Sequence, residues 1–205
     1  MRTTPVVTVN GSTAAGTVDA TMTNITDTRN PWWGAGEAII LLSNFGMDVS
    51  CHAASSEIEV NVGAGVSPGS VIGVIENGAF PDCTTWGPLG LAVSMSWNAS
   101  HITVREHPYL AGDPIPVDVH LDARVVGVGC DFDIQGSLRG TLFPGDATHD
   151  GYLRLEPGYD AVVTRAGSSG SSCGGEWWEG DLLEAAHGTF AINTSGPGAG
   201  LINHS

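Results

Sequence analysis

Apolar and polar residues alternate with a period of two along most of the chain beyond about residue 37, the pattern of strands that bury one face. The clearest run is Leu89, Leu91, Val93, Met95 and Trp97, separated throughout by small or polar residues. Ile58, Val60 and Val62 alternate with acids and asparagine, Ile72 and Val74 follow a Pro68-Gly69 turn, and Ile102 and Val104 resume the pattern after Asn98-Ala99-Ser100. Further strands are predicted around residues 116–121, 124–128, 132–142, 152–155, 161–164 and 189–192. Helix is at most a minor component. Many short strands joined by turns predict an all-β fold, an antiparallel β-sandwich formed either as one large domain or as two small tandem disulfide-stapled β domains. On that reading residues 1–36 are an N-terminal arm or peripheral strands, 37–122 a first β half, 123–195 a second, and 196–205 a tail. The stretch from Gly167 to Gly175 is a loop by its glycine and serine content. The halves echo each other: in each, one cysteine precedes a strand pair and a second is followed closely by a tryptophan, Trp86 or Trp177, which suggests duplication.

Composition supports the strand reading. With 29 glycines and 11 prolines in 205 residues the chain is rich in turn formers, and 41% hydrophobic content is too high for a disordered segment. Charge changes the picture more. There are 22 acids against seven arginines and no lysine, giving a formal net charge of −15. Such a chain is a poor partner for nucleic acid or an anionic membrane surface, both of which are held by cations that neutralise phosphate. The longest aliphatic stretch, Ala38 to Leu42, is far shorter than the about 20 residues of a membrane span.

Four widely separated cysteines, Cys51, Cys83, Cys130 and Cys173, form no C-x-x-C pair and have no histidine at zinc-finger spacing, so disulfides are predicted rather than a metal site. Of three connectivities the sequential one, Cys51–Cys83 and Cys130–Cys173, is preferred because each pair then brackets a similar stretch of strands. Disulfides place the protein in an oxidising compartment. The opening Met1-Arg2-Thr3-Thr4-Pro5 has no apolar signal core, which leaves the export route open and admits a virion protein released by lysis.

At the cysteine segments the chain resembles a family of uncharacterised secreted β-rich proteins of high-GC actinobacteria. The resemblance is carried by Cys51, by Cys83 with Gly87-Pro88-Leu89-Gly90 and Trp97, by Cys130 and the segment 136–155, and by Cys173 with Gly188-Thr189-Phe190-Ala191-Ile192. It covers roughly residues 45–195 and implies an extracellular location and sequential disulfides. It brings no catalytic residues.

Candidate chemistry is sparse. Gly170-Ser171-Ser172-Cys173-Gly174 matches G-x-S-x-G, but that nucleophile turn needs a strand-to-helix junction in a parallel sheet, and a disulfide-bearing loop explains it better. Asp146 and Asp150, before Gly151, offer two oxygen ligands for calcium, although Asp150-Gly151 is also what a hairpin turn requires. Glu184 and His187 have a metal-ligand spacing without partners on other elements. Trp32-Trp33 and Trp177-Trp178 remain as contacts to a partner protein or a glycan, with one ring of each pair expected to point inward. These readings converge on a non-catalytic structural or interaction protein of an extracellular surface or coat, without cofactor. A phage capsid decoration and a carbohydrate-binding module are the alternatives.

Overall fold

The computed structural model describes residues 5–25, 39–52, 54–86, 90–98, 100–106, 108, 110–158, 160–168, 170–196, 200 and 202–204, apart from the side chains of residues 86 and 185–187. Among them the chain forms β1 (Val7–Val9), β2 (Gly16–Asn24), β3 (Ile39–Ser43), β4 (Asp48–Cys51), β5 (Ser55–Val62), β6 (Val71–Trp86), β7 (Ala92–Trp97) and β8 (Ser100–Val104). There follow β9 (Ile115–Gly127), β10 (Cys130–Pro144), β11 (Gly151–Glu156), β12 (Ala161–Ala166), β13 (Ser171–Ser172), β14 (Trp177–Trp178), β15 (Leu182–Thr194) and β16 (Ile202–His204). A single 3-10 turn at Cys173–Gly175 is the one helical element among the described residues, and no described helix is long and apolar enough to cross a membrane. The protein is all-β, and every strand pairing is antiparallel.

Twelve strands join in one hydrogen-bonded sheet built on four long ones, β6, β9, β10 and β15. β9 and β10 pair along their whole length as a hairpin, from Gly127↔Cys130 to Ile115↔Leu142. Elsewhere a position beside a long strand is filled by two short strands end to end. β7 and β8 lie between β6 and β9, and β12 and β11 lie between β10 and β15. β3 and β2 flank β15 on its other side, and β4 and β5 flank β6. Because β3 pairs with β4 and β2 with β5, the path returns to its start, a closed ring of eight strand positions. Closure satisfies the backbone groups that an edge strand would leave open.

Strand parity builds the core. Ile115, Val117, Val119, Leu121, Ala123 and Val125 of β9 all point inward without a skipped step, so the two strands predicted at 116–121 and 124–128 are one. β6 shows the opposite effect. Register shifts opposite Glu57/Ile58 and between Phe80 and Cys83 leave Glu76-Asn77 and Pro81-Asp82 exposed as bulges, which hides a 16-residue strand behind a broken pattern. A bulge is also where a strand tolerates proline. The buried side chains from β1 to β16 form one cluster, in which Phe80 packs on Trp97 with ring centroids 5.0 Å apart. β9 crosses the division expected at residues 122/123, and β15 pairs with β2 and β3 of the N-terminal part.

The ends of the ring are closed differently. At one, β1 pairs with β16, so the segment expected as a tail contains a strand whose Ile202 and His204 are buried; alternation at 202 and 204 turns both inward. The other end is covered by the loop from Gly167 to Asp181. Disulfides join Cys51 to Cys83 and Cys130 to Cys173. They differ in kind: Cys51 and Cys83 face each other across β4 and β6, whereas Cys130–Cys173 ties the start of β10 to the covering loop.

Candidate functional site

The covering loop is shaped by three successive left-handed residues, Cys173 (φ 53°), Gly174 (φ 71°) and Gly175 (φ 93°). Glycine adopts this conformation without a Cβ clash, and here it reverses the chain so that β14 pairs with β13. The Cys173 N–H donates to the Gly129 carbonyl at 2.8 Å, and the Asp131 N–H donates to Ser172 Oγ at 2.6 Å. Together with the disulfide these bonds fasten the loop to the β9–β10 turn. Ser172 is buried and engaged with backbone, in a strand-to-3-10 turn of an antiparallel fold.

Adjacent residues of a strand face opposite ways. Trp177 is 0% exposed and stacks on Phe132 at 4.8 Å and 13°, plugging this end of the core. Trp178 is 54% exposed. Its ring is fixed by the Nε1–H bond to the Gly175 carbonyl at 2.8 Å, and its backbone N–H donates to Asp181 Oδ2 at 2.9 Å. The β3–β4 turn, where Phe45 is 73% exposed, lies at the same end of the ring. That turn is bonded to Leu182, since the Asn44 N–H donates to the Leu182 carbonyl and the Leu182 N–H to Asn44 Oδ1. On the other side Val128, at the tip of the β9–β10 turn, is 90% exposed. Of the six exposed large apolar residues among those described, Phe45, Val126, Val128, Trp178 and Leu182 belong to this rim, and only Leu110 lies elsewhere.

Charge is distributed unevenly around this frame. The described arginines, Arg105, Arg124, Arg139, Arg154 and Arg165, all lie on or next to strands β8 to β12, each beside a carboxylate. Arg165 binds Asp133 at 2.5 Å and Asp131 at 2.8 Å, and Arg124 reaches Asp131 at 3.0 Å. The Arg165 hydrogen bond, followed by that of Arg124, holds the Asp131 carboxyl below its ordinary range, while Asp133 and then Asp131 push Arg165 higher. Further along, Arg105, Glu106, Asp118, Ser137, Arg139 and Asp160 line a groove of about 550 Å³. Here Arg139 binds Asp160 at 2.6 Å, and the His120 ring lies between Ser137 Oγ and Thr103 Oγ1, each at 3.2 Å. This face is internally compensated. A separate hollow carries Asp19, Glu57, Glu59 and Glu76, with Asp19 directly opposite Glu59 across β2 and β5.

Other sequence candidates are placed apart from the rim. Trp32 and Trp33 lie outside the described residues. Asp146 accepts the N–H groups of Thr148 and His149 on Oδ1, within its own turn, and the hydroxyl of Tyr152, at the start of β11, on Oδ2. Those bonds, Tyr152 foremost, hold its carboxyl below the ordinary range. Asp150 Oδ2 instead accepts from the Thr194 N–H and hydroxyl across to β15. The two carboxylates therefore serve different partners, and no group of three metal-ligating side chains occurs among the described residues. Phe45, Val128 and Leu182 were not legible as site residues. A lone apolar residue at a turn tip gains meaning only when folding brings several tips together. Comparison with protein-family models, curated proteins and solved structures finds no match to this chain.

Proposed function

We propose that the protein is a non-catalytic interaction protein of an oxidising exterior, a cell surface or a coat, and that it engages a neighbour through the rim carrying Trp178. The observation behind this is that five of the six exposed large apolar side chains among the described residues lie on loops or strand ends at one end of a closed frame, where the turns are fastened by hydrogen bonds or a disulfide. Exposed apolar groups that gather on rigid elements favour contact with a partner, because ordering them costs little further entropy. The same properties suit a decoration protein of a virion surface. We read the closed ring as one flattened, sandwich-like unit, which its single core supports over two tandem domains.

The test is retention of the protein in its native setting. Trp178→Ser should shift it from the cell surface or particle to the soluble fraction with its thermal midpoint unchanged; undiminished retention would overturn the proposal. The fixed, half-exposed Trp178 ring favours a second reading, stacking on a sugar, which a glycan array with the same variant examines.

A further inference from the structure

We propose that His101 and His120 together bind a late first-row divalent metal ion, zinc or copper(II), on the outer face of β8 and β9. The site is independent of the rim and of whatever the rim contacts. Strand register makes the pair. Ile102 lies opposite Val119 and Thr103 opposite Asp118, so in the same antiparallel register His101 falls opposite His120. Directly opposed residues hold their Cβ atoms about 4.5–5.5 Å apart and point to one face of the sheet. Both rings are exposed, and their centroids lie 6.4 Å apart at 89°. Metal–nitrogen bonds of about 2.0–2.1 Å put the centroids of two ligating imidazoles about 5–6 Å apart, so a modest side-chain rotation brings both rings onto one ion. His101 is the ring that can turn, because its nitrogens make no hydrogen bond among the described residues.

His120 is oriented in advance. The Thr103 hydroxyl donates to the Asp118 carbonyl at 3.4 Å, so Thr103 Oγ1 accepts the His120 Nε2–H, and His120 Nδ1 accepts from the Ser137 hydroxyl. Thr103 and His101 share β8, which makes Nε2 the nitrogen on the side of His101. When Nε2 takes the ion, the ring proton moves to Nδ1 and Ser137 Oγ accepts it as a hydrogen bond. A bond from the far ring nitrogen is the usual way a ligating histidine is held. Asp118 and Asp122 lie two residues to either side of His120 on the same face of β9, and with the net charge of −15 they favour cations there. Arg105, the nearby guanidinium, is opposed by Glu106, Asp118 and Glu156 at 3.6–3.9 Å. Two neutral imidazoles suit zinc and copper rather than magnesium or calcium, which take oxygen ligands. No third His, Cys, Asp or Glu completes the set among the described residues, so water fills the remaining positions and affinity is moderate. His149, by contrast, packs edge-on against Tyr152, and His204 is buried with Nε2 on the Asp113 carbonyl.

The experiment titrates the intact, oxidised protein with zinc chloride by calorimetry and with copper(II) chloride by electron paramagnetic resonance, in a buffer that does not chelate metal. Zinc should bind saturably at this site, and the copper spectrum should carry the hyperfine signature of two equivalent nitrogens. His101→Gln and His120→Gln should each weaken zinc binding about tenfold or more, a difference of about 1.4 kcal/mol. Ser137→Ala should weaken it severalfold while the copper spectrum still shows two nitrogens, the mark of a residue that only positions His120. His52→Gln and His149→Gln should change nothing, and an excess of magnesium should not displace zinc. All these variants alter side chains at the surface, and an unchanged thermal midpoint without metal confirms that they fold. Absence of saturable binding would overturn the inference, as would binding indifferent to both His101→Gln and His120→Gln. Sensitivity to only one of the two, with a single-nitrogen copper spectrum, would reduce the site to a lone imidazole and equally overturn the pair. Displacement of zinc by magnesium would assign the binding to the acidic surface instead. None of these outcomes bears on retention through Trp178, which the earlier test decides separately.

Discussion

Trp177 and Trp178 occupy one two-residue strand and have opposite roles. Removing the Trp177 ring takes away its stack on Phe132 and opens a cavity where the core meets the covering loop. Trp177→Ala should therefore cost about 3–5 kcal/mol of stability in denaturant unfolding, whereas Trp178→Ala should stay within about 1 kcal/mol. That one ring turns inward follows from strand parity and is legible in the sequence. Which one does so depends on the pairing of β14 with β13, set by the left-handed turn between them. A second residue-scale effect concerns acid. Asp131 is held below its ordinary value of 3.8, chiefly by Arg165, so the unfolded chain takes up that proton at a higher pH than the folded one. Its contribution is present above the ordinary value and is lost as the pH falls through the folded-state value. Asp146 shifts in the same direction. Thermal midpoints should fall below about pH 4, and Asp131→Asn should reduce that slope modestly, because the pair is partly exposed and screened.

At the scale of elements, the bridges should separate in their consequences. Each closes a span of 32 or 43 residues, worth about 4 kcal/mol in the chain-entropy model. Cys51 and Cys83 are already neighbours in a ladder, so replacing both with alanine should lower the thermal midpoint while leaving local exchange of the rim unchanged. Replacing Cys130 and Cys173 should in addition speed amide exchange in residues 167–181, because the loop would keep only a few hydrogen bonds to the β9–β10 turn. Equal exchange in the two variants would refute this division of labour. Elements were readable where alternation ran unbroken, as in β7 and β10, whereas β9 was legible as strand but divided in two at residues 122–123. β6 escaped because Glu76-Asn77 and Pro81-Asp82 each interrupt the period. The N-terminal half of β15 escaped for another reason. Its Leu182-Leu183-Glu184-Ala185-Ala186 sequence carries no alternation, and pairing with β3 and β12 holds it in strand form.

For the whole molecule, the closed path and single core predict one cooperative unfolding transition with coincident signals from tryptophan fluorescence and far-ultraviolet circular dichroism. Two separated transitions would indicate independent halves. Net charge adds to this. A molecule at −15 with four acids in one hollow is strained by self-repulsion, so moderate salt should raise the midpoint. Glu59→Gln should reproduce part of that gain, since it removes one of two like charges placed directly opposite.

The pairing of β1 with β16 has a consequence for how the molecule can be mounted. The first and last described strands lie side by side at the end where β10 finishes and β11 begins, with Ile202 bonded to Gly145 and Asp150. Trp178 lies at the opposite end. A tether, a fusion partner or a scaffold joined before β1 or after β16 would grip the same pole, and the indole would face away from the support as if on a pedestal.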